Sequence, residues 1–357
     1  MRINRARFVS DLSRAMPGIS TGTVKIEGAD TFVFKGGHIF TYNSVISVDV
    51  KGSEDYAGLK GIVSAKEFYE VLTKLPSDEI EITADEKAWT VTDGKIKVEV
   101  NLLSIPNIFE RFNSIIPSEN EWHDIDSEDF GRALRVCSIP HNPTKFAGLF
   151  FQGKEVWSTN QSEINRYELK DEYPKFMISE SAVHELLKCG TLKKVQYNKR
   201  WVQFFSEDEV VFSVRAISDE VFPLDLISKL VLKTKDTPSY VKVSLTGQFF
   251  EAMERALAFS NNIDGVETVH VTFGSKVSIS STRHSGSYEE AVEDMSLDCD
   301  EFALDLDAGL FLRTNGVFES MSVLSDGPVN TDSAVHILFM NGDFETGSLK
   351  LCSSVIE

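Results

Sequence analysis

Carboxylates are the side chains of this sequence that come closest to forming a reactive cluster. Between residues 298 and 307 they stand at Asp298, Asp300, Glu301, Asp305 and Asp307. Carboxylate oxygens are the ligands that Mg²⁺ prefers, as in a metal-dependent nuclease. The same run is also typical of a solvated edge between a strand and a helix, where the first carboxylate of a helix caps it. We favour the second interpretation and expect no metal site.

The other residue types that support catalysis are scattered. The seven histidines are dispersed, and His141 precedes Asn142-Pro143, a pair typical of a turn. The cysteines include no C-x-x-C pair, which argues against a zinc site or a disulfide framework and is typical of a reducing cytosol. The chain contains no P-loop, G-x-G-x-x-G, H-E-x-x-H or G-x-S-x-G motif. We therefore expect a protein that is not an enzyme and takes no cofactor.

Composition is that of a folded protein with more than one domain. The chain has 357 residues, 42% apolar and 25% charged, and its length allows two or three domains. It contains no apolar run long enough to span a membrane, and its first residues lack the apolar core of a signal peptide. These features predict a cytoplasmic protein.

Negative charge is concentrated at one end of the chain. The net charge of −19 argues against wrapping nucleic acid around the outer surface. Lys and Arg number 14 against 16 Asp and Glu in residues 1–118, 16 against 19 in residues 119–235, and 6 against 20 in residues 236–357. The last third is therefore either a solvated acidic face or a patch that meets a less acidic partner surface.

A weak internal repeat divides the chain at the same points. Each third opens with an amphipathic helix, over residues 5–16, over 127–137, and after Thr246. Short alternating strands follow, then a second helix, which begins at Ser64 with a capping box, at Ser179, or more weakly at Asp305. More strands come next, and Ser104-Ile-Pro and Ser218-Asp-Glu-Val-Phe-Pro close the first two thirds. The sequence predicts three similar domains, over 1–118, 119–235 and 236–357.

Basic residues lie opposite the apolar face of most of these helices. On one helix this is usually a solvated face. The same sign on most helices of an acidic chain indicates that the helices face one anionic object. The residues in question are Arg7, Arg14, Lys66, Lys74, Arg132, Arg135, Lys188 and Arg255.

Several segments, in this order, resemble the beta subunit of bacterial DNA polymerase III, the sliding clamp, in a divergent form of chromosomal or phage origin. Phe249-Phe-Glu-Ala-Met-Glu-Arg-Ala-Leu is similar to the helix that opens the third domain of that family. Asp219-Glu-Val-Phe-Pro223 is similar to the "DGxFP" that ends its second domain. Ser325-Asp-Gly-Pro-Val-Asn together with Ser333-Ala-Val-His-Ile resembles the strand pair before its C-terminus, and the likeness extends over the whole chain.

The resemblance implies an α+β fold of three similar domains, each with two helices packed on antiparallel sheets. Two chains would pair head to tail into a homodimer ring that encircles duplex DNA without reading its sequence. The ring would tether the replicative polymerase for processive synthesis, and a clamp loader would open it. The helices would then line the channel, which agrees with the basic residues named above.

The resemblance also places two protein-binding surfaces. The ring interface would contain Val98, Val100, Ala258 and Phe259, although Phe259 is equally suited to the core. The groove for partner peptides, which in the family uses a "TDGHRLA" segment, the linker and the C-terminal tail, would contain Thr159, Arg166, Tyr167, Ile227, Leu230, Val355 and Ile356. The matching segment here, residues 159–167, has extra residues and no His, so its peptide specificity is expected to differ.

A different class of function remains open from the residues alone. An acidic interaction protein, or a DNA mimic that forms no ring, would also carry a strongly negative charge. A mimic is expected to spread acid along a surface that replaces phosphate, whereas two thirds of this chain are nearly balanced. Salt should weaken a mimic's hold on basic partners, but a closed ring on circular DNA should survive salt until the DNA is cut.

Overall fold

The chain folds as two compact units. The computed structural model describes all residues except 21–25, 116–121, 139–147, 161–162, 199, 219–221, 264–265, 326–328, 330–333, 342 and 354–357. One unit contains Met1–Gly131 and Lys170–Asp219, and the other contains Arg132–Leu169 and Glu220–Glu357. Among the described residues, no helix is long and apolar enough to cross a membrane.

Helices and short strands alternate along the first third. In chain order the elements are β1 (Arg2–Asn4), α1 (Arg5–Ala15), β2 (Thr31–Lys35), β3 (His38–Tyr42), β4 (Ile46–Lys51), β5 (Gly61–Ser64), α2 (Ala65–Lys74), β6 (Glu79–Ala84), β7 (Ala88–Asp93), β8 (Ile96–Asn101) and α3 (Ile108–Asn113), with 3-10 turns at Met16–Gly18 and Glu54–Tyr56.

The remaining two thirds repeat this alternation. In residues 119–235 the elements are β9 (His123–Asp124), α4 (Ser127–Cys137), β10 (Gly148–Thr159), β11 (Glu163–Ser179), α5 (Glu180–Leu186), β12 (Leu192–Asn198), β13 (Trp201–Ser206), β14 (Val210–Ile217) and α6 (Leu224–Lys235). In residues 236–357 they are β15 (Ser239–Ser244), α7 (Gly247–Leu257), β16 (Asn261–Ile263), β17 (Val266–Phe273), β18 (Val277–Arg283), β19 (Gly286–Val292), β20 (Phe302–Asp307), α8 (Ala308–Leu312), β21 (Ser320–Leu324), β22 (Ala334–Asn341) and β23 (Asp343–Ser353).

The first unit contains two antiparallel arrays of strands. One follows the order β1-β6-β7-β8, so that β8 lies at its edge. The other runs β5-β2-β3-β4-β14-β13-β12-β9. In this array β4 of the first third pairs with β14 of the second, with Val50 opposite Val210 and Ile46 opposite Val214. Backbone hydrogen bonds therefore continue the sheet from one third of the sequence into the next.

The second unit also contains two antiparallel arrays. One follows the order β15-β21-β22-β23-β11, with β10 paired to β11. In the other, β17 pairs with β16, β18 and β20, and β19 forms the edge beyond β18. Buried or half-buried positions alternate with more exposed ones along β20 and β19, which is the pattern of strands covered on one face by helices. The α+β class that the sequence predicted is confirmed.

Side-chain caps and a packed aromatic core hold the opening helices in place. Asn4 accepts from the backbone N–H of Arg7 at 2.9 Å, and Thr246 accepts from that of Phe249 at 3.2 Å, so both helices begin where a cap occupies the N-terminus. Phe8 of α1 is fully buried against Phe34 and Tyr56.

Two details of the predicted helices are wrong. Ser64 stands at the N-cap of α2, but its side chain makes no capping hydrogen bond. Asp305 and Leu306 belong to strand β20, and the short helix begins only at Ala308. The alternation of Phe302, Leu304 and Leu306, all buried, has period two, and this pairing with β17 overrides the weak helical pattern.

Two helices that the sequence did not predict follow the punctuation of the first two thirds. Helix α3 comes after Ser104-Ile-Pro, and the longer α6 comes after Phe222-Pro223. The matching positions extend the similarity between the first two thirds. The division into three domains at residues 118 and 235 itself stays a prediction.

Candidate nucleic-acid interface

Two of the basic residues on helix α1, Arg7 and Arg14, lie in contrasting surroundings. Arg7 is exposed, whereas Arg14 is half-buried. Arg14 forms an ion pair with Asp11 one turn earlier and donates from Nη1 to the carbonyl oxygen of Asp208 at 2.6 Å. Of these two, Arg7 therefore presents its guanidinium largely to solvent.

The second helices of the first two thirds expose lysines. Lys66 and Lys74 lie on the exposed face of α2, and Lys74 pairs with Glu70 one turn before it. Lys188 is the second residue after α5 and contacts Glu185 at 3.0 Å. These pairs are exposed, so they contribute little to stability and leave the lysines available to a stronger anion.

Helix α4 places Arg132 and Arg135 on its exposed side. Phe130, Ala133, Leu134 and Cys137 form its buried side, as the predicted helical periodicity requires. Burial also raises the pKa of the Cys137 thiol well above its usual range, so this cysteine is an inert core residue.

The basic residue of helix α7 is bound by carboxylates. Arg255 donates from Nε and Nη2 to the two oxygens of Glu290 at 2.9 and 2.8 Å. It also contacts Glu251 at 3.6 Å and the Tyr288 hydroxyl at 3.2 Å. The hydrogen bonds to Glu290 and Tyr288 raise the pKa of Arg255 and lower that of Glu290. The charge of Arg255 is thus largely balanced by neighbouring groups of the protein itself.

A polar cleft opens beside α1. Its volume is about 570 Å³, and its lining mixes cations with carboxylates. Basic side chains come from α1 and from the end of β4, and acidic ones from α1, the 3-10 turn after β4 and the β13–β14 turn. The lining residues are Arg7, Asp11, Arg14, Lys51, Gly52, Ser53, Glu54, Asp55 and Glu209.

The predicted interface valines lie on an open sheet edge. Val98 and Val100 are half-buried on β8, which pairs only with β7 among the described strands, and Ile96 is 40% exposed. An edge strand presents unpaired backbone N–H and C=O groups to a further strand.

Phe259 lies next to β19, a strand that pairs only with β18 in the part of the chain that the structure describes. It is half-buried and stacks on Tyr288 of the edge strand β19, with ring centroids 6.2 Å apart, while Ala258 beside it is exposed. Ser287, Glu289 and Ala291 point away from the buried face of that strand and are exposed. Phe259 is therefore a residue at the edge of the core rather than within it.

The predicted groove residues on β10 and β11 are held firmly in place. Thr159 is buried and donates to the carbonyl of Glu163 at 2.8 Å, and Tyr167 is 3% exposed. Arg166 forms two hydrogen bonds with Glu155, at 3.1 and 2.7 Å, and its guanidinium lies 5.4 Å from the ring centre of Trp157.

The linker residues lie on helix α6. Ile227 is 5% exposed and Leu230 is half-buried, whereas Leu226 and Leu232 are 69% and 63% exposed. The sequence alone does not single out these two leucines, because their orientation is defined only once they lie on a helix. Val355 and Ile356 lie outside the described residues.

The acidic run does not gather into a metal site. Asp305 on β20 pairs across the sheet with His270 on β17 at 2.9 Å. Within the described ranges, no group of three or more His, Cys, Asp or Glu side chains is arranged to hold a metal ion.

Comparison with known proteins gives a uniform result at the level of structure. No family model and no curated protein matches the sequence. The fold matches the beta subunit of DNA polymerase from Streptococcus pyogenes with a TM-score of 0.73, 16% identity and 99% coverage of both chains. It matches the sliding clamp from Bartonella birtlesii with a TM-score of 0.75, 16% identity and 99% coverage of both chains. It matches the sliding clamp from C. crescentus with a TM-score of 0.75, 13% identity and 98% coverage of both chains.

These matches extend over nearly the whole chain and nearly the whole of each neighbour. The protein therefore has the fold of the DNA polymerase III beta sliding clamps. At 13–16% identity the likeness shows a divergent form of that fold, and a fold does not by itself define a function.

Proposed function

We propose that this protein is a DNA sliding clamp, a ring that encircles duplex DNA and tethers a replicative polymerase. The observation that carries the proposal is the match of fold over 98–99% of the chain to proteins described as sliding clamps or polymerase III beta subunits. The protein would act in the cytoplasm as a processivity factor and catalyse nothing, and a clamp loader would place it on DNA.

Two open strand edges support assembly of a homodimer. Strand β8 in one protomer and β19 in its partner would join the sheets of two chains through backbone hydrogen bonds. Lys95 and Lys97 flank Ile96 on the first edge and outnumber Glu99 on its exposed side, and Glu289 stands on the exposed side of the second. The charges are complementary, so they favour head-to-tail over like-edge pairing.

Exposed basic residues on several helices support a channel for DNA. Arg7, Lys66, Arg132, Arg135 and Lys188 are exposed on helices or at a helix end, and phosphate contacts require no fixed sequence. Arg255 contributes less, because Glu290 already binds it. An acidic chain with such helices would attract DNA into the ring and repel it elsewhere.

The partner groove is proposed along the second unit, near Arg166 and helix α6. Arg166 would provide a rigid guanidinium, and Leu230 with the exposed Leu226 would provide apolar contact. An apolar surface of this kind suits a short anchored peptide from a polymerase or a clamp loader. Tyr167 and Ile227 would support this surface from beneath, since both are buried.

The proposal is tested by threading the protein onto DNA without a loader. Linear duplex fixed at one end is incubated with the protein, its free end is blocked with a bulky protein, and the complex is washed in high salt. A ring remains on blocked DNA and leaves when a nuclease cuts the duplex, because its hold is topological rather than electrostatic. If salt removes the protein equally from blocked and unblocked DNA, the clamp function is wrong and the acidic interaction protein becomes the better explanation.

A further inference from the structure

One arginine joins the C-terminal end of helix α1 to the distant β13–β14 turn. Arg14 Nη1 donates to the carbonyl oxygen of Asp208 at 2.6 Å, across 194 positions of sequence. Arg14 Nη2 donates to the carboxylate of Asp11 in the preceding helical turn. The two bonds use separate arms of the planar guanidinium, a geometry that a lysine ammonium does not reproduce. Arg14 therefore bridges a helix of the first third and a turn of the second.

The carboxylate that orients this arginine is itself fixed by the core. Asp11 is 3% exposed, and its second oxygen accepts from the hydroxyl of Tyr56, which is 1% exposed. The Tyr56 ring packs on Phe8 with centroids 4.5 Å apart. A buried carboxylate is costly unless its oxygens are bonded, so Asp11 needs both partners. Tyr56, Asp11 and Arg14 thus form a chain of bonds from the core to the helix end.

The turn that receives the arginine has a backbone that needs external support. Glu209 has a φ of +59° although it is not glycine, a conformation that costs free energy for a residue with a Cβ. Its N–H donates to the Ser206 carbonyl at 3.1 Å. Immediately afterwards Val210 pairs with Val50, where strand β14 meets β4. The bond to Asp208 therefore acts at the start of the sheet pairing between the first two thirds of the sequence.

We propose that Arg14 is a positioning residue and not a phosphate contact. It braces α1 against the β13–β14 turn, and so fixes the helix that carries Arg7 relative to the second third of the chain. The inference rests on the proposed function only in that α1 is taken to line the DNA channel. The bracing itself is a property of the free protein.

Substitution of Arg14 by lysine distinguishes a positioning residue from a phosphate contact. Arg14→Lys keeps the positive charge that a phosphate contact needs, but it loses the fork that reaches Asp11 and Asp208 together. Arg14→Gln loses both the positive charge and the fork. Arg7→Lys and Arg7→Gln are the matched controls on the same helix, because Arg7 is exposed and lies two turns before Arg14.

The primary measurement is hydrogen exchange of the backbone amides of residues 207–210 in the full-length free protein. Arg14→Lys and Arg14→Gln are both expected to speed exchange there by roughly tenfold, since loss of a charge-assisted hydrogen bond shifts a local opening equilibrium by about that factor. The Arg7 variants are expected to leave it unchanged. Unchanged exchange in Arg14→Lys would overturn the brace.

The second measurement is the salt dependence of protein binding to DNA. Arg7→Gln is expected to reduce the slope of log K against log salt by about 1, the effect of one lost phosphate contact. Arg14→Gln is expected to leave the slope unchanged, and an equal reduction would show that Arg14 is a phosphate contact. Absence of DNA binding by the unsubstituted protein would reject the proposed function, while the exchange result would still decide the brace.

Discussion

At the scale of single residues, the cations of this protein differ in what already binds them. Arg7 and Arg135 extend into solvent, whereas Arg14 and Arg255 are engaged by carboxylates. Helical periodicity places all four opposite an apolar face. On α4 this prediction is correct, since Arg135 is exposed. The periodicity does not show Asp208 or Glu290, because those partners come from distant parts of the sequence. Position on a helix could therefore be predicted, but availability to phosphate could not.

Reversal of the exposed charges in the proposed channel should weaken the hold of the protein on DNA. Combined substitution of Arg7, Arg132 and Arg135 by Glu is expected to reduce threading and loading while leaving the fold intact, because the side chains are exposed and phosphate repels the new carboxylates. Retention on end-blocked DNA measures the effect, with circular dichroism to check folding. Lys87→Glu, on the exposed β6–β7 turn, is the control. Retention equal to that of the control would remove these residues from the channel.

One histidine should make stability depend on pH. His38 Nδ1 lies 2.7 Å from an Asp49 oxygen, and this hydrogen bond raises the pKa of His38 above its ordinary 6.5 in spite of partial burial and the nearby Lys51. Because the pKa of His38 is higher in the folded state than in the unfolded state, the pair stabilises the protein below pH 6.5. This contribution to stability is lost as the pH rises through the folded-state pKa.

Asp49→Asn is therefore expected to lower the free energy of unfolding more at pH 6 than at pH 9, by less than about 1 kcal/mol because the pair is partly exposed. Urea denaturation at both pH values measures the difference. An equal loss at both would show that the pair does not contribute through the charge of His38.

At the scale of elements, the sequence predicts the opening helices well and the connecting helices poorly. Caps at Asn4 and Thr246, followed by apolar residues at helical spacing, define α1 and α7 almost to the residue. Helix α6 was missed because it follows Pro223 without a side-chain cap. At Asp305 the local pattern favoured a helix, but pairing with β17 makes a strand, and such tertiary pairing is not visible in a short segment.

The Thr246 cap of α7 should contribute more to stability than Ser64 at the N-cap of α2. Thr246→Ala is expected to cost about 1 kcal/mol, since it removes the bond to the Phe249 N–H and a second bond to Asp294 at 3.0 Å. Ser64→Ala is the matched control, because Ser64 occupies an N-cap without a capping bond, and its cost is expected to be a few tenths of a kcal/mol. Urea denaturation compares the two, and equal costs would show that the Thr246 bonds contribute nothing specific.

A charge placed at the edge of β19 should prevent assembly of the dimer. Phe259→Asp places a charge where Phe259 stacks on Tyr288, and it is expected to shift the protein to monomers if this edge joins the partner's β8. Leu226→Asp is the control, since Leu226 is also exposed but lies on α6. Sedimentation velocity of both variants measures the mass, and an unchanged dimer in Phe259→Asp would exclude Phe259 from the joint.

At the scale of the whole molecule, the repeat in the sequence and the likeness of fold lead to the same expectation. Strands β4 and β14 already continue one sheet across two thirds of the chain. A fold of this kind with open edges at β8 and β19 is suited to closure by a second copy. The acidic last third, which composition alone left unexplained, would then face the nearly neutral first third of the partner.

Negative-stain electron microscopy of the purified protein at micromolar concentration tests this central claim most directly. The ring model predicts particles of two chains with an open centre wide enough for duplex DNA. Compact particles with the mass of one chain and no central opening would contradict it, and would favour an acidic interaction protein with the clamp fold.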